Sequence, residues 1–325
     1  MELDADYFAG FVLAKLGAKL DDATEVYNQE SNEDDTYSTH PSKSKRIDAI
    51  TKGYYAGKAE LEGEITNTYR KTISTSAQEY FYSAYEKNII KNTKGAIEDY
   101  TKAINLKGDY FAAYVNRGNI KYEIKNYNAA IEDYSKAINL KPLNTNTYIF
   151  RGLSKQYLYD YMGSIEDFSQ VIALNPEHAA AFFHRGRSKY EIKNFSEALK
   201  DLNKSIRLEP FSFPDAYLFR GRIKINIGNY TAAIQDFTKA IKLKPSYSEA
   251  YSSRGYCKFK IKNYNDAIED YSKAINLKPS DENYHMRGVI NYELKNYKNA
   301  IIDFSEAIKI NSSFNASYYA RGYAK

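Results

Sequence analysis

Residues Ala113 to Pro142 read AYVNRGNIKYEIKNYNAAIEDYSKAINLKP, and this stretch decides the fold. Ala130, Ile131, Tyr134, Ala137 and Ile138 fall on one face of a helix. The pattern predicts a first helix over about 112–124, a turn at Lys125-Asn126-Tyr127, and a second helix over about 128–140. Pro142 closes the unit, because proline cannot continue a helix.

The same unit recurs along the chain. Small residues Ala96, Ala130, Ser164, Ala198, Ala233, Ala267 and Ala300 follow one another at 33–35 residues. A large apolar residue follows each: Tyr100, Tyr134, Phe168, Leu202, Phe237, Tyr271 and Phe304. Pro176, Pro210, Pro245 and Pro279 close later units as Pro142 does. A period of this length means stacked helical hairpins, each burying its face against its neighbours. Gly118, Gly152, Gly186, Gly221, Gly255, Gly288 and Gly322 recur inside first helices. Glycine there costs about 1 kcal/mol relative to alanine. Its recurrence implies that two helices cross too closely for a side chain.

Composition narrows the function classes. Of 325 residues, 43% are apolar, yet no run is long enough to span a membrane as a helix. Net charge is +5 from 46 basic and 41 acidic side chains, a solvated surface rather than a nucleic-acid footprint. The single cysteine, Cys257, allows no internal disulfide and no cysteine-based zinc site, and its place in a repeat suggests a small buried residue. Residues 1–20 lack the pattern of a signal peptide.

The units resemble tetratricopeptide (TPR) repeats, with an aromatic at motif position 4 (Tyr114), Gly at 8 (Gly118), Ala at 20 (Ala130), an aromatic at 24 (Tyr134), Ala at 27 (Ala137) and Pro at 32 (Pro142). The resemblance covers residues 77–325 as seven units and a truncated eighth. It implies an all-α fold: a right-handed TPR superhelix, or α-solenoid, preceded by a small N-terminal helical segment. It also implies a scaffold for protein–protein interaction whose concave groove takes a protein or peptide partner, and the expectation for the chain as it stands is a non-catalytic one without a cofactor.

Two positions depart from the TPR pattern. Position 7 is Arg in seven units (Arg117, Arg151, Arg185, Arg220, Arg254, Arg287, Arg321), and position 11 is Lys in most. Cations four residues apart on a helix repel, so an acid is expected nearby. Asp99, Asp133, Asp167, Asp201, Asp236, Asp270 and Asp303 recur in the second helices. Each precedes an arginine of the next unit, from Asp99 with Arg117 to Asp303 with Arg321, which suggests an ionic ladder between repeats.

In TPR arrays the groove is lined by first-helix positions 2, 5, 9 and 12. The candidate groove residues here are Val115, Asn119, Tyr122, Ile149, Leu153, Phe183, Arg187 and Tyr190 in the first half. Leu218, Arg222, Ile225, Tyr256, Phe259, His285 and Tyr292 follow in the second. They form a mixed aromatic and aliphatic surface with a cationic centre at Arg187 and Arg222. Such a surface suits an extended or helical segment with apolar anchors and an acidic residue. The carboxylate clamp of some TPR proteins needs Lys at 5 and Asn at 9, and only Asn119 fits. The groove positions vary without a recurring base-reading pair, which argues against RNA.

The period fails before residue 77. Residues 1–30 read as helical and 31–45 as loop; a helix follows to about residue 56, and residues 58–76 read as a charged helical linker. Glu2-Leu3-Asp4-Ala5-Asp6 is followed by Ser38-Thr39-His40-Pro41 and Arg46-Ile47. Together these strings resemble the second half of gluzincin-type zinc metallopeptidases of the HtpX and CAAX prenyl protease superfamily. That resemblance covers about residues 2–56, within a helical segment 1–57, and implies Glu2 as a zinc ligand, Asp6 as its outer support and His40 near substrate. The HExxH motif that would supply two histidine ligands is absent from the chain. The alternative function is therefore a C-terminal fragment of such a peptidase, whose array recruits protein substrates; zinc would belong to that longer parent. A cytoplasmic location is the default, with a periplasmic or secreted one open for a longer parent.

Overall fold

The computed structural model describes residues 43–66 and 76–325. Its residues fall into two units, 1–75 and 76–325. Among the described residues every regular element is a helix. The strings around Glu2, Asp6 and His40 lie outside the described residues, as do residues 67–75 of the charged segment.

In the first unit, α1 spans Lys43–Thr66. Ala49, Ile50 and Tyr54 are buried along one face of it. The helix runs without a break through Gly57 and into the charged segment.

The second unit is a run of helical hairpins. The first is α2 (Ala77–Ile89) and α3 (Thr93–Leu106); the second is α4 (Phe111–Glu123) and α5 (Tyr127–Leu140). Then come α6 (Thr145–Tyr157) with α7 (Tyr161–Leu174), and α8 (Ala179–Glu191) with α9 (Phe195–Leu208). The fifth and sixth pair α10 (Pro214–Asn226) with α11 (Tyr230–Leu243) and α12 (Ser248–Lys260) with α13 (Tyr264–Leu277). The seventh pairs α14 (Asp281–Glu293) with α15 (Tyr297–Ile310), and α16 (Asn315–Ala324) follows.

Local sequence explains where each helix stops. The Lys125 N–H donates to the Tyr122 carbonyl at 2.9 Å, and the Asn126 N–H to the Lys121 carbonyl at 2.8 Å. These two bonds satisfy carbonyls that the end of α4 would otherwise leave open. They require a left-handed residue between the helices. Gly228 supplies it in the fifth hairpin, and Lys91, Lys125, Tyr159, Lys193, Lys262 and Lys295 adopt the same region without being glycine. The next residue then caps the second helix: Asn92, Asn126, Asp160, Asn194 and Asn229 each accept from the backbone N–H three residues on.

The glycines sit where two helices of one hairpin meet. A Cβ built on Gly118 would lie 2.8 Å from Tyr134 Cε1, and one on Gly221 only 2.6 Å from Phe237 Cε1. The large apolar residue that follows each small one therefore fills the space the glycine leaves. Tyr134, Phe168, Leu202, Phe237 and Ala130, Ala198, Ala233 are fully shielded from solvent in these layers.

The expected ionic ladder between repeats is corrected: the arginines and aspartates do pair, but within each hairpin and not from one repeat to the next. Arg117 does not meet Asp99. Its Nη2 and Nε lie 2.6 Å and 3.0 Å from the two oxygens of Asp133, in its own hairpin. The same holds for Arg151–Asp167, Arg185–Asp201, Arg220–Asp236, Arg254–Asp270 and Arg287–Asp303. The glycine crossing is the reason: the Asp133 Cβ lies 3.3 Å from where a Gly118 Cβ would stand. That aims the arginine beside the glycine at the aspartate of the same hairpin.

Each aspartate also takes the second cation of its hairpin, as Lys121 shows at 2.8 Å from Asp133. In the seventh hairpin Asn291 replaces that lysine and donates to Asp303 at 3.1 Å. Asp99 is held by Ser83, Lys87 and Lys102. The arginines do reach the preceding hairpin, through Nη1 to a neutral oxygen: Thr101, Ser135, Ser169, Asn203, Thr238, Ser272 and Ser305 in turn. Each guanidinium further lies over the aromatic of motif position 4, for example Arg220 at 5.4 Å from the Tyr217 ring centre.

Candidate functional site

From α4 onward, each first helix touches the first helix of the next hairpin, while no two second helices meet as closely. The first helices therefore line the inner, tighter side of the array. Positions 5, 9 and 12 lie on these helices, and the structure divides the candidate residues there into three groups.

Two are core residues and offer no surface. Leu218 is 1% exposed and Phe183 is 7% exposed, and each belongs to a buried cluster. Phe183 stacks on Phe213 of the following segment, with ring centres 5.3 Å apart. The apolar groove reading of these two is corrected: at these hairpins position 5 points into the joint between repeats.

A second group is half-buried and already engaged. Val115 is half-buried on α4, and Asn119 accepts from the Tyr134 hydroxyl at 2.9 Å. Tyr122 sits in a ring cluster with Tyr127, Phe150 and Tyr157. Burial, followed by the neighbouring Tyr157, pushes its hydroxyl to a higher pKa. Ile149 and Leu153 pack on the Phe168 cluster, Phe259 on the Tyr271 cluster, and Tyr292 on the Phe304 cluster. His285 Nδ1 lies 2.9 Å from Ser317 Oγ of α16, and burial holds its pKa below the usual histidine range.

The third group converges. Tyr190, Arg222, Ile225 and Tyr256 line a cleft of about 620 Å³ spanning α8, α10, α12 and α14. Its other walls include Asn226, Ser248, Glu249, Ser252, Lys278 and Glu282, and Met286 adds an apolar contact. Arg187 stands beside it, exposed on α8. The guanidiniums of Arg187 and Arg222 each lie 5.9 Å from the Phe219 ring centre. The ring of Tyr190 meets that of Phe219 at 5.1 Å.

The centre is not purely cationic. Glu249 of the next hairpin lies 2.8 Å from Arg222 Nη2. Asp215 accepts from the Tyr247 hydroxyl, whose pKa is raised by burial and then by that carboxylate. Asp215, Glu249 and Glu282 occupy motif position 2 in three successive units. That recurrence is the sequence signal for the acidic wall.

Other chemistry-bearing groups have structural roles. Cys257 is fully buried, and burial pushes its thiol up to about 12, so it is unreactive near neutral pH. His184 stacks on Phe168 at 5.2 Å and lies 3.3 Å from the Gln156 side-chain oxygen. Among the described residues no three His, Cys, Asp or Glu side chains gather as a metal site, and no helix is long and apolar enough to cross a membrane.

Family models for the tetratricopeptide repeat match residues 111–144, 151–213, 248–281 and 282–314, and a TPR repeat model matches 221–262. Together they take in more than half of the chain. The chain is a tetratricopeptide repeat protein. Solved TPR structures share its fold. One from Parabacteroides merdae is 20% identical, covers 77% of this chain and 99% of its own, and superposes with a TM-score of 0.57. The C-terminal part of a TPR protein from Cytophaga hutchinsonii is 17% identical over 74% of this chain and 98% of its own, with a TM-score of 0.59. YrrB, described as a TPR protein with an unusual peptide-binding site, is 17% identical over 58% of this chain and 97% of its own, at 0.51. No curated protein matches the TPR chain in sequence.

Proposed function

We propose that this TPR array is a non-catalytic scaffold, needing no cofactor, that holds a segment of a partner protein along its inner face. The observation that carries the reading is the cleft across α8 to α14, where Tyr190, Tyr256 and Ile225 stand among polar side chains. Aromatic anchors ringed by hydrogen-bonding groups are what a recognition surface needs: the rings bury area with little loss of freedom, and the polar rim fixes register. YrrB, with the same fold, has a peptide-binding site on its TPR scaffold.

The test is selection of binders from a random peptide library against the full chain. The expected result is a set of peptides whose affinity falls about tenfold or more in Tyr256→Ala and Tyr190→Ala, as for anchor residues. Binding indifferent to both substitutions would move the site elsewhere, and no enrichment of any peptide would defeat the reading.

A further inference from the structure

The seventh hairpin departs from its neighbours at one residue. In hairpins two to six a lysine of the first helix meets the buried aspartate of the second. Lys121, Lys155, Lys189, Lys224 and Lys258 stand 2.8–2.9 Å from it. Except for Lys189, each also donates to the backbone carbonyl four residues before that aspartate, as Lys155 does to Gly163 at 3.2 Å. In the seventh hairpin the lysine is replaced by Asn291. Among the described residues Asp303 keeps one cation, Arg287, gripped as Asp167 is by Arg151. The neutral amide of Asn291 stands in for the second cation, at 3.1 Å.

The shorter side chain leaves room. A pocket of about 320 Å³ opens between α13, α14 and α15, with Arg287, Asn291 and Asp303 in its walls. Asn299 lines it too, and its carbonyl is the counterpart of the Gly163 carbonyl. Ile268 and Ile302 add apolar walls. Hairpins two, three and six carry Glu132, Glu166 and Glu269 where Ile302 stands. Arg287 and Asp303 are the only charged residues lining the pocket among those described, and they pair with each other. Arg287 already donates from all three nitrogens, to Asp303 and to Ser272. The pocket shares no lining residue with the cleft across α8 to α14.

We propose that this pocket binds a primary ammonium group on a short alkyl stem, which takes the place of the missing lysine. An ammonium brings three donors. The groups left to meet it are acceptors: the Asp303 carboxylate, the Asn299 carbonyl and the Asn291 side-chain oxygen, whose amide nitrogen is spent on Asp303. The stem lies against Ile268 and Ile302, as a lysine stem covers apolar surface. An anion would meet a guanidinium that is already engaged. A quaternary ammonium has no donor for the three acceptors. The same chemistry serves a free amine and a lysine of a partner chain. The inference does not depend on the peptide cleft.

The experiment titrates the full, isotope-labelled chain with n-butylammonium at constant ionic strength and follows the backbone amide signals of Asn299 and Ile302 by NMR. Saturable shifts at millimolar concentration are expected. Equal concentrations of n-butanol and of butyltrimethylammonium are expected to give none. Asn291→Lys supplies the ammonium from within, as five other hairpins do. It is expected to melt no lower than the parent protein and to bind the amine about tenfold more weakly or less. A lysine residue blocked at both ends is titrated beside the amine. Saturable binding of either probe upholds the site; the tighter of the two assigns it to a partner's side chain or to a free amine. Absence of saturable shifts with both probes would overturn the inference. So would n-butanol shifting the same signals equally, or undiminished binding in Asn291→Lys. The comparison with n-butanol is made on the parent protein and stands without the variant.

Discussion

Asp201 shows how much one residue carries. It accepts from Arg185 at 2.7 Å and 2.8 Å and from Lys189 at 2.8 Å, and it is almost wholly buried. Asp201→Ala leaves two cations without their carboxylate, and a loss of about 3–5 kcal/mol is expected in urea unfolding followed by circular dichroism. His184 makes stability depend on pH. Burial, followed by the positive charge of Arg187, lowers its pKa from 6.5 to about 4. Because the folded value lies below the unfolded one, the stabilisation is complete above pH 6.5 and is lost as pH falls towards 4. The slope in that window is about 1.4 kcal/mol per pH unit, and His184→Phe is expected to flatten it in unfolding curves at pH 7 and pH 5. The need for an acid beside Arg and Lys is legible in the sequence, but which acid is not. Asp99 and Asp133 stand at similar distances along the chain from Arg117, and only the crossing at Gly118 selects Asp133. Phe183 and Leu218 escaped the sequence for a related reason. Helix periodicity gives a direction around the axis; it does not say whether the next hairpin or solvent lies there.

At the scale of the element, the tight turn between paired helices concentrates strain. Six of the seven turns place a residue other than glycine in the left-handed region. Each such residue costs about 1–2 kcal/mol relative to a right-handed one. Lys193→Val adds β-branching there and is expected to destabilise by a similar amount. Lys193→Gly is expected to change stability little, since relief of strain and added freedom of the unfolded chain oppose each other. Thermal melts of the two variants beside the parent protein check this. The helices themselves are legible, because apolar spacing and the closing prolines mark them. The mechanism of the turn is not. A glycine usually signals it, and only Gly228 does so here.

Across the whole molecule, contacts run from each hairpin to its neighbours, so damage is expected to stay local. Gly221→Leu forces a side chain against Phe237, where even a Cβ would sit at 2.6 Å. Amide hydrogen exchange is expected to quicken in residues 179–277 of this variant and to remain at the parent's rate in residues 77–140. Uniform acceleration from end to end would show that the array opens as one unit instead. The period makes the solenoid legible from the sequence. The cleft was legible only in part: its rings occupy expected positions, whereas its acidic wall lies at position 2, whose residues gain meaning once Glu249 is seen beside Arg222. The register of the ionic ladder has a consequence for how such a chain can change. Each hairpin holds both members of its buried ion pair and lends its neighbour only a bond to a neutral oxygen. A whole hairpin can therefore fray from an end, be duplicated or be deleted without stranding a buried charge, so the length of the array is free to vary while its interior stays neutralised.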